Sequence, residues 1–216
     1  MIKKPSDRYF LTTLSLGAIL TILVGILFLD QPIAVGIMRI LRSNSLLHSA
    51  TATIPDTLLY LACIGTTVMW LVYFILRRHN WGSDELLQFL QLAGTAVPVS
   101  FLLKAALQFA FGRTNTRFWL INNMPLRFDW FHGAGIGCFP SGHMTVFTAF
   151  GVTIWYVYPR YRRPTALLLI LLGMALIMTD YHFLSDVIAG AWVALLLVHG
   201  IRYLLKRCGA NHWIEE

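Results

Sequence analysis

Long apolar runs, separated by short polar segments, dominate the chain. A helix needs roughly 20 mostly apolar residues to cross a bilayer, and most of the runs approach that length. They predict six helices, over residues 10–29, 57–76, 87–111, 144–158, 165–178 and 186–205. The fourth and fifth runs are short, so we expect adjoining polar residues, buried in protein, to lengthen them. The predicted fold is an all-α integral-membrane bundle of six transmembrane helices, forming one polytopic domain over residues 1–216.

Composition favours the same class of protein. Of the 216 residues, 57% are hydrophobic and 12% are charged, and mean hydropathy is +0.65, whereas soluble domains carry about 25% charged residues. The first run is longer than the core of a signal peptide, and no small-residue cleavage site follows it. We therefore expect it to be retained as the first helix.

The net charge of +7 could indicate nucleic-acid binding, but the basic residues lie in short clusters between apolar runs, as in membrane proteins. One cluster precedes the first run, one follows the second, one follows the fourth, and one lies at the C-terminal end of the sixth. They comprise Lys3, Lys4, Arg8, Arg77, Arg78, Arg160, Arg162, Arg163, Arg202, Lys206 and Arg207. The positive-inside rule then places both termini in the cytoplasm. Loops 30–56, 112–143 and 179–185 face outside, which is the periplasm for a bacterial inner-membrane protein.

One predicted external loop, 112–140, is unusually long and rich in glycine, asparagine, arginine and aromatic residues. Structureless loops of this length are often functional. The loop could equally lie on the membrane surface, with Phe118, Trp119, Trp130 and Phe131 dipping into lipid. The two interpretations are compatible.

Ionisable residues in or beside membrane helices are costly and usually functional. Here they collect at one predicted face, the outer one: Lys104, Arg113, His143, Asp180, His182 and Asp186. The topology therefore allows them to meet in one site.

The segment Pro140-Ser141-Gly142-His143 stands where the fourth helix begins. Ser141 is a good N-cap, and Gly142 lets the backbone approach a ligand. A helix N-terminus offers unpaired N–H groups to an anion such as phosphate, and His143 lies within reach of that anion. Alternatively, Ser141 is an ordinary cap and His143 an interface residue.

His182 and Asp186 are four residues apart, which on a helix places a carboxylate beside an imidazole. A carboxylate on one ring nitrogen makes the other a better nucleophile. Alternatively, the pair simply caps the sixth helix. Two imidazoles beside a helix N-terminus that can bind an anion are typical of phosphoryl transfer through a phosphohistidine.

A metal site is less favoured because carboxylates are few, the basic groups would repel a cation, and the three cysteines are scattered.

At these residues the chain resembles the type-2 phosphatidic acid phosphatase superfamily, whose motifs are K-x6-R-P, P-S-G-H and S-R-x5-H-x3-D. The second motif is complete at residues 140–143, and the third ends as His182-Phe183-Leu184-Ser185-Asp186. The motif-bearing part covers about residues 100–190. Order, spacing and the six-helix frame all match the family.

The chain departs from the family in two places. In the first motif, eight residues rather than six separate Lys104 from Arg113, and Thr114 replaces the proline. In the third motif, Leu176 stands where the family has a phosphate-binding arginine. Arg113, Arg117 or Arg127 could supply that charge; otherwise the enzyme is impaired or its chemistry altered.

The resemblance implies a set of roles. His182 would attack phosphorus, Asp186 would orient it, and His143 would protonate the leaving oxygen. Lys104, Arg113 and the backbone of Ser141 and Gly142 would hold the phosphoryl oxygens, without metal or cofactor. Arg117, Arg127 and Asp180 are further candidates at the site.

The resemblance thus predicts a membrane lipid phosphatase acting at the outer leaflet. Candidate substrates are phosphatidic acid, phosphatidylglycerol phosphate, a polyprenyl (pyro)phosphate and the phosphate of lipid A. A phosphotransferase that passes the phosphoryl group to another acceptor is an alternative. So is a small non-enzymatic transporter, although the charges gather at one face and no inverted repeat is visible.

Overall fold

The regular elements are helices throughout the residues that the computed structural model describes, 7–41, 54–133 and 137–208, so the predicted all-α class is confirmed. The helices are α1 Asp7–Val24, α2 Asp30–Leu41, α3 Ile54–Arg78, α4 Asp84–Phe111, α5 Thr116–Asn122, α6 Gly142–Val157, α7 Arg162–Met178 and α8 Leu184–Arg207. A π-helical segment, Gly25–Leu29, joins α1 to α2, and a 3₁₀ turn, Pro159–Tyr161, precedes α7.

Each predicted apolar run corresponds to a helix, but not every helix is long and apolar enough to cross a bilayer. Within the described residues, four candidate spans meet both criteria: Leu11–Ile40, Asp84–Phe111, Pro159–Met178 and Leu184–Arg207. Helix α6 has only 16 residues, or roughly 24 Å at 1.5 Å per residue. The protein is thus a multi-pass membrane protein, and the count of six crossings stays a prediction.

The first helix is longer than the sequence pattern predicts. An end at residue 29 and a loop over 30–56 were expected, whereas α2 continues to Leu41 and α3 starts at Ile54. The loop prediction is therefore wrong for residues 30–41 and 54–56, and residues 42–53 lie outside the described part. The helix does not end at Asp30, because the carboxylate of Asp30 is buried against other elements.

Helix α6 lies at the centre of the bundle, packed against α4, α7 and α8. Its core contacts use small or branched side chains, which let the helices approach closely: Leu92 and Ala96 from α4, Ala149 and Val152 from α6, Ala194 and Val198 from α8. Helix α6 carries no acidic or basic residue other than His143, as is typical of a helix buried on most sides.

The peripheral helices α1, α3 and α7 expose large apolar side chains. These include Leu16, Leu20, Leu61, Leu71, Phe74, Leu167, Leu168 and Ile170. An apolar surface of this extent would aggregate in water, whereas lipid tails would cover it in a bilayer.

The long loop after α4 is structured rather than irregular. It contains the short helix α5 and two antiparallel bridges, Arg113 to Phe128 and Thr114 to Gly137. The loop turns back on α4 at Gly112, which has a left-handed φ of 55° and would press any Cβ into the Asp129 carbonyl. Of the four aromatic residues predicted to enter lipid, Phe118, Trp130 and Phe131 are exposed.

Candidate active site

The first turns of α6 and α8 are held against each other, and this contact builds the site. The Ser141 N–H donates to the Asp186 carbonyl at 2.9 Å. A Cβ on Gly190 of α8 would lie 2.6 Å from the Ser141 carbonyl oxygen, so the two backbones meet there without an intervening side chain. Ser141 caps α6, as predicted, by accepting the Met144 N–H at 3.4 Å.

The contact brings the two predicted histidines together. Their ring centroids are 5.8 Å apart, and both side chains are buried. Tyr181 completes the cluster, with its ring centroid 5.3 Å from that of His143 and perpendicular to it. The two imidazole rings are therefore close enough to contact one ligand.

Asp186 serves both interpretations that the sequence left open. It closes the N-terminus of α8 by accepting the Phe183 N–H on Oδ2 at 3.1 Å. The same Oδ2 lies 3.7 Å from Nδ1 of His182. That is longer than a hydrogen bond, as catalytic contacts often are before substrate binds. The contact directs Nδ1 of His182 toward the carboxylate and leaves Nε2 for chemistry.

Lys104 of α4 reaches the start of α6. A Cβ on Gly142 would lie 2.7 Å from Cδ and 3.0 Å from Nζ of Lys104, so the glycine makes room for the lysine chain. Gln108, one turn later, instead donates to the Pro140 carbonyl at 3.1 Å. The ammonium group therefore lies beside the N–H groups of the first turn of α6, where an anion would bind.

Arg113 is placed behind Asp186 in a buried ion network. Its Nη1 donates to Asp186 Oδ1 at 2.5 Å and to Ser185 Oγ at 2.7 Å, and its Nη2 donates to Asp30 Oδ2 at 2.7 Å. Burial would lower the pKa of the Arg113 guanidinium, but the carboxylates of Asp186 and Asp30 outweigh it and raise that pKa above its ordinary value. The guanidinium therefore stays charged.

Arg117 of α5 lies at the turn that carries His182. It donates from Nη2 to the Thr179 carbonyl at 3.0 Å, and its guanidinium lies 4.5 Å from the centroid of the Tyr181 ring. Both of these contacts are with neutral groups. Through Tyr181, the arginine is connected to the imidazole of His143.

Leu176, which replaces the family arginine, is buried in an apolar cluster with Met144 and Val187. Its backbone nevertheless supports the site, since its carbonyl accepts the N–H groups of Tyr181 and His182 at 3.0 and 3.2 Å. The position thus shapes the turn before His182 while its side chain fills the core.

The remaining two candidates differ in placement. Arg127 is exposed and paired with Asp129 at 2.7 Å, outside the histidine cluster. Asp180 is buried two residues before His182 and has a left-handed φ of 55°, a conformation that Asp tolerates better than most residues.

Cys138, His182 and Asp186 present ligand atoms within 4.8 Å of one another, the geometry of a metal group. Burial raises the pKa of the Cys138 thiol, and the Asp186 carboxylate raises it further. The protonated thiol donates to Asp186 Oδ2 at 3.2 Å. With Arg113 on the other carboxylate oxygen, the charge balance disfavours a cation here.

Sequence reasoning missed three residues of this region: Asp30, Ser185 and Cys138. Ser185 donates to Asp30 from both N–H and Oγ, at 3.0 and 2.5 Å. One signal was available for Asp30, because an acid that closes a 20-residue apolar run is costly unless it is paired. Nothing in the local pattern around Ser185 or Cys138 indicates their contacts.

Comparison with known proteins identifies the family of the chain. A model of the PAP2 superfamily matches residues 90–210, more than half of the chain. A lipid A 1-phosphatase of Rhizobium etli is 37% identical over 120 residues, covering 53% of this chain and 50% of the relative. A lipid A 1-phosphatase of Rhizobium johnstonii is 41% identical over 75 residues, covering 33% and 29%. The chain thus matches half or less of the length of these curated relatives.

A solved structure supports the fold assignment. The crystal structure of a transmembrane PAP2-type phosphatidylglycerolphosphate phosphatase from Bacillus subtilis aligns with a TM-score of 0.50 at 18% sequence identity. The alignment covers 92% of this chain and 97% of that one, so the likeness concerns the arrangement of the whole bundle. Together with the family match, and in agreement with the motifs at residues 140–143 and 182–186, it shows that the chain belongs to the PAP2 superfamily.

Proposed function

We propose that the protein is an integral-membrane lipid phosphatase that hydrolyses a phosphomonoester or pyrophosphate of a lipid through a phosphohistidine intermediate. One observation carries the proposal. The ring centroids of two buried imidazoles, His143 in the first turn of α6 and His182 just before α8, lie 5.8 Å apart, and His182 faces the buried carboxylate of Asp186.

In the first step, Nε2 of His182 attacks phosphorus and the bond to the lipid oxygen breaks. His143 donates a proton to that oxygen, so that the lipid alcohol leaves from a phosphomonoester, or the lipid monophosphate leaves from a pyrophosphate. In the second step, His143 takes a proton from water, which attacks phosphorus. The P–N bond breaks, and phosphate and free His182 result.

The phosphoryl oxygens need donors as negative charge develops on them. The Ser141 N–H already donates to the Asp186 carbonyl, so it is not a donor for phosphate. Ser141 contributes instead by capping the N-terminus of α6. The first-turn N–H groups of Gly142 and His143 are the donors that a phosphate would meet. Lys104 lies beside them, and the guanidinium of Arg117 lies against the Tyr181 ring of the same cluster.

The site belongs, in this proposal, at the outer leaflet of a bacterial inner membrane. The distribution of basic residues supports that orientation, because the clusters adjoin the ends of the helices remote from the histidines. A lipid head group in the outer leaflet would then meet the first turn of α6, while its tails stay in the bilayer.

The test of this function is a panel of lipid phosphates incubated with the purified protein in detergent. We expect inorganic phosphate to be released from at least one of lipid A, phosphatidylglycerol phosphate, phosphatidic acid and a polyprenyl diphosphate. Excess EDTA should leave the rate unchanged, because the proposed nucleophile and the proposed acid are both imidazoles. Vanadate should inhibit the reaction. The two lipid A 1-phosphatase relatives make lipid A the first substrate to test.

Two outcomes would contradict the proposal: no phosphate from any lipid, or activity that EDTA removes and a divalent cation restores. The ratio of phosphate released to lipid dephosphorylated separates hydrolysis from transfer to another acceptor. That measurement is warranted because Leu176 replaces an arginine that family members use on phosphate.

We expect Arg117 to supply the charge that Leu176 lacks. Arg117→Ala should weaken vanadate inhibition and raise KM about tenfold, since a hydrogen bond to a charged group contributes roughly 1.5–3 kcal/mol. Arg127→Ala should change both by less than about twofold, because Arg127 is exposed and paired with Asp129. If Arg127→Ala had the larger effect, the assignment of Arg117 would be wrong.

A further inference from the structure

Asp30 is a buried acid at the start of α2. Its Oδ1 accepts the Ser185 N–H at 3.0 Å, and its Oδ2 accepts from Ser185 Oγ at 2.5 Å and from Arg113 Nη2 at 2.7 Å. The side chain is buried, at the point where the π-helical segment ends. Single π turns inside α-helices frequently mark functional positions.

The first helix is fitted to this contact. A Cβ on Gly25, one turn before Asp30, would lie 3.0 Å from Cβ of Ser185, so the helix approaches the start of α8 closely there. Asp30 thereby reaches the residue next to Asp186. A residue 155 positions earlier in the chain thus contacts the element that carries the proposed catalytic pair.

Arg113 joins the two carboxylates. One Nη group contacts Asp30 and the other contacts Asp186 and Ser185, so both Nη groups bind protein side chains. Aromatic rings enclose the group, with the Phe183 ring centroid 4.4 Å and the Phe128 centroid 5.3 Å from Cζ. This geometry suits a fixed counter-ion better than a ligand for incoming phosphate.

The charges in the network explain why a second acid is needed. Arg113 alone would neutralise Asp186 at the moment when His182 needs a carboxylate beside it. Asp30 takes up that positive charge, so the two acids and one arginine retain one negative charge. That charge lies on the side of His182, where Asp186 Oδ2 is 3.7 Å from Nδ1.

We propose that Asp30 is a positioning residue of the reaction, which acts through Arg113 to keep Asp186 fixed and charged toward His182. The proposal rests on the proposed phosphatase function. It gives the first membrane helix a part in the chemistry, and it gives Arg113 the role of organising the carboxylate rather than holding phosphate.

The test compares Asp30→Asn with wild type, using phosphatidic acid and p-nitrophenyl phosphate as substrates. We expect kcat to fall about 10- to 100-fold, the loss that is typical when a hydrogen-bonding partner behind a metal-ligating residue is removed. Vanadate affinity, measured from the rise it causes in the unfolding temperature, should stay within about twofold of wild type. Glu85→Gln is the matched control, since it makes the same carboxylate-to-amide change at an exposed site on α4.

A pH profile separates positioning from a purely structural role. The groups around His182 are Asp186 from α8, His143 from α6, Cys138 from the loop and Tyr181 from the preceding turn, with Arg117 over Tyr181. Removal of the Asp30 charge disfavours proton binding among them, so the acid limb of kcat/KM should move to lower pH. Ser185→Ala removes the two hydrogen bonds of the Ser185 hydroxyl but no charge, so it should lower kcat less and leave the acid limb in place.

Three results would overturn the proposal. They are a wild-type kcat in Asp30→Asn, a fall in vanadate affinity that matches the fall in kcat, and an equal shift of the acid limb in Ser185→Ala. If Asp30→Asn does not fold, Ser185→Ala decides: a reduced kcat with unchanged vanadate affinity supports the proposal, and a wild-type kcat overturns it. A wild-type protein that neither binds vanadate nor releases phosphate would instead refute the proposed function.

Discussion

Replacement of His182 with alanine is expected to abolish turnover, with kcat at least about 10,000-fold lower, as when a catalytic nucleophile is removed. The nitrogen that would form the P–N bond is lost. The neighbouring Cys138 thiol also contacts Asp186, but its raised pKa keeps it protonated, so it does not replace the nucleophile. The variant should still fold, because the backbone N–H of residue 182 keeps its bond to the Leu176 carbonyl. Phosphate release and the unfolding temperature in detergent are the two measurements.

His79→Ala is the matched control for this experiment, since His79 is exposed beside Trp81 at the end of α3 and should be dispensable. Mass spectrometry of the wild-type protein, quenched during turnover, should find the phosphoryl group on the peptide that contains His182. Turnover near the wild-type rate in His182→Ala would remove the nucleophile assignment and, with it, the proposed mechanism.

The sequence predicts the helices and the contact between His182 and Asp186 because both depend on local signals. Apolar runs of about 20 residues locate the helices. His182 lies just before Phe183, the N-cap of α8, and Asp186 lies in the first turn of that helix, so the contact between them needs only this short segment. The cap at Ser141 is similarly local, since it needs only the residues that follow it. These predictions required no knowledge of which helices are neighbours.

The buried network behind Asp186 could not be predicted in the same way. Asp30, Arg113 and Ser185 are separated by 83 and 72 positions along the chain, and only tertiary packing brings them together. Read alone, Asp30 marked the end of a helix, because a polar residue after an apolar run usually does. Its partners come from other elements, and they allow the helix to continue to Leu41.

Arg113 illustrates the limit of a motif. Its place after Gly112 is similar to that of the arginine of the first family motif, which binds phosphate, yet its guanidinium forms ion pairs with Asp30 and Asp186. Spacing in the sequence cannot distinguish these roles, because it does not show which groups surround the side chain. The partners of Arg113 favour the counter-ion role proposed above, and Arg117 is our candidate for the phosphate ligand.

Replacement of His143 with alanine should slow the reaction by an amount that depends on the leaving group. With a lipid phosphate, the departing alkoxide needs a proton, and loss of the acid should lower the rate of phosphohistidine formation about 100- to 10,000-fold. With p-nitrophenyl phosphate, the leaving group is stable without a proton, and the first step should slow by less than about tenfold. The rate of the pre-steady-state burst of p-nitrophenol isolates that step.

The second step provides an internal check, because in the proposed mechanism His143 is also the base that activates water. In His143→Ala the phosphohistidine should therefore accumulate with p-nitrophenyl phosphate, giving a burst followed by slow steady-state release. Met144→Leu, at the next position of α6, is the control for a disturbance of packing. Met144 lies in the apolar cluster with Leu176, and leucine has about the same volume as methionine. An equal loss of the first step with both substrates would show that His143 is not the acid, because a proton donor must matter more when the leaving oxygen is the stronger base.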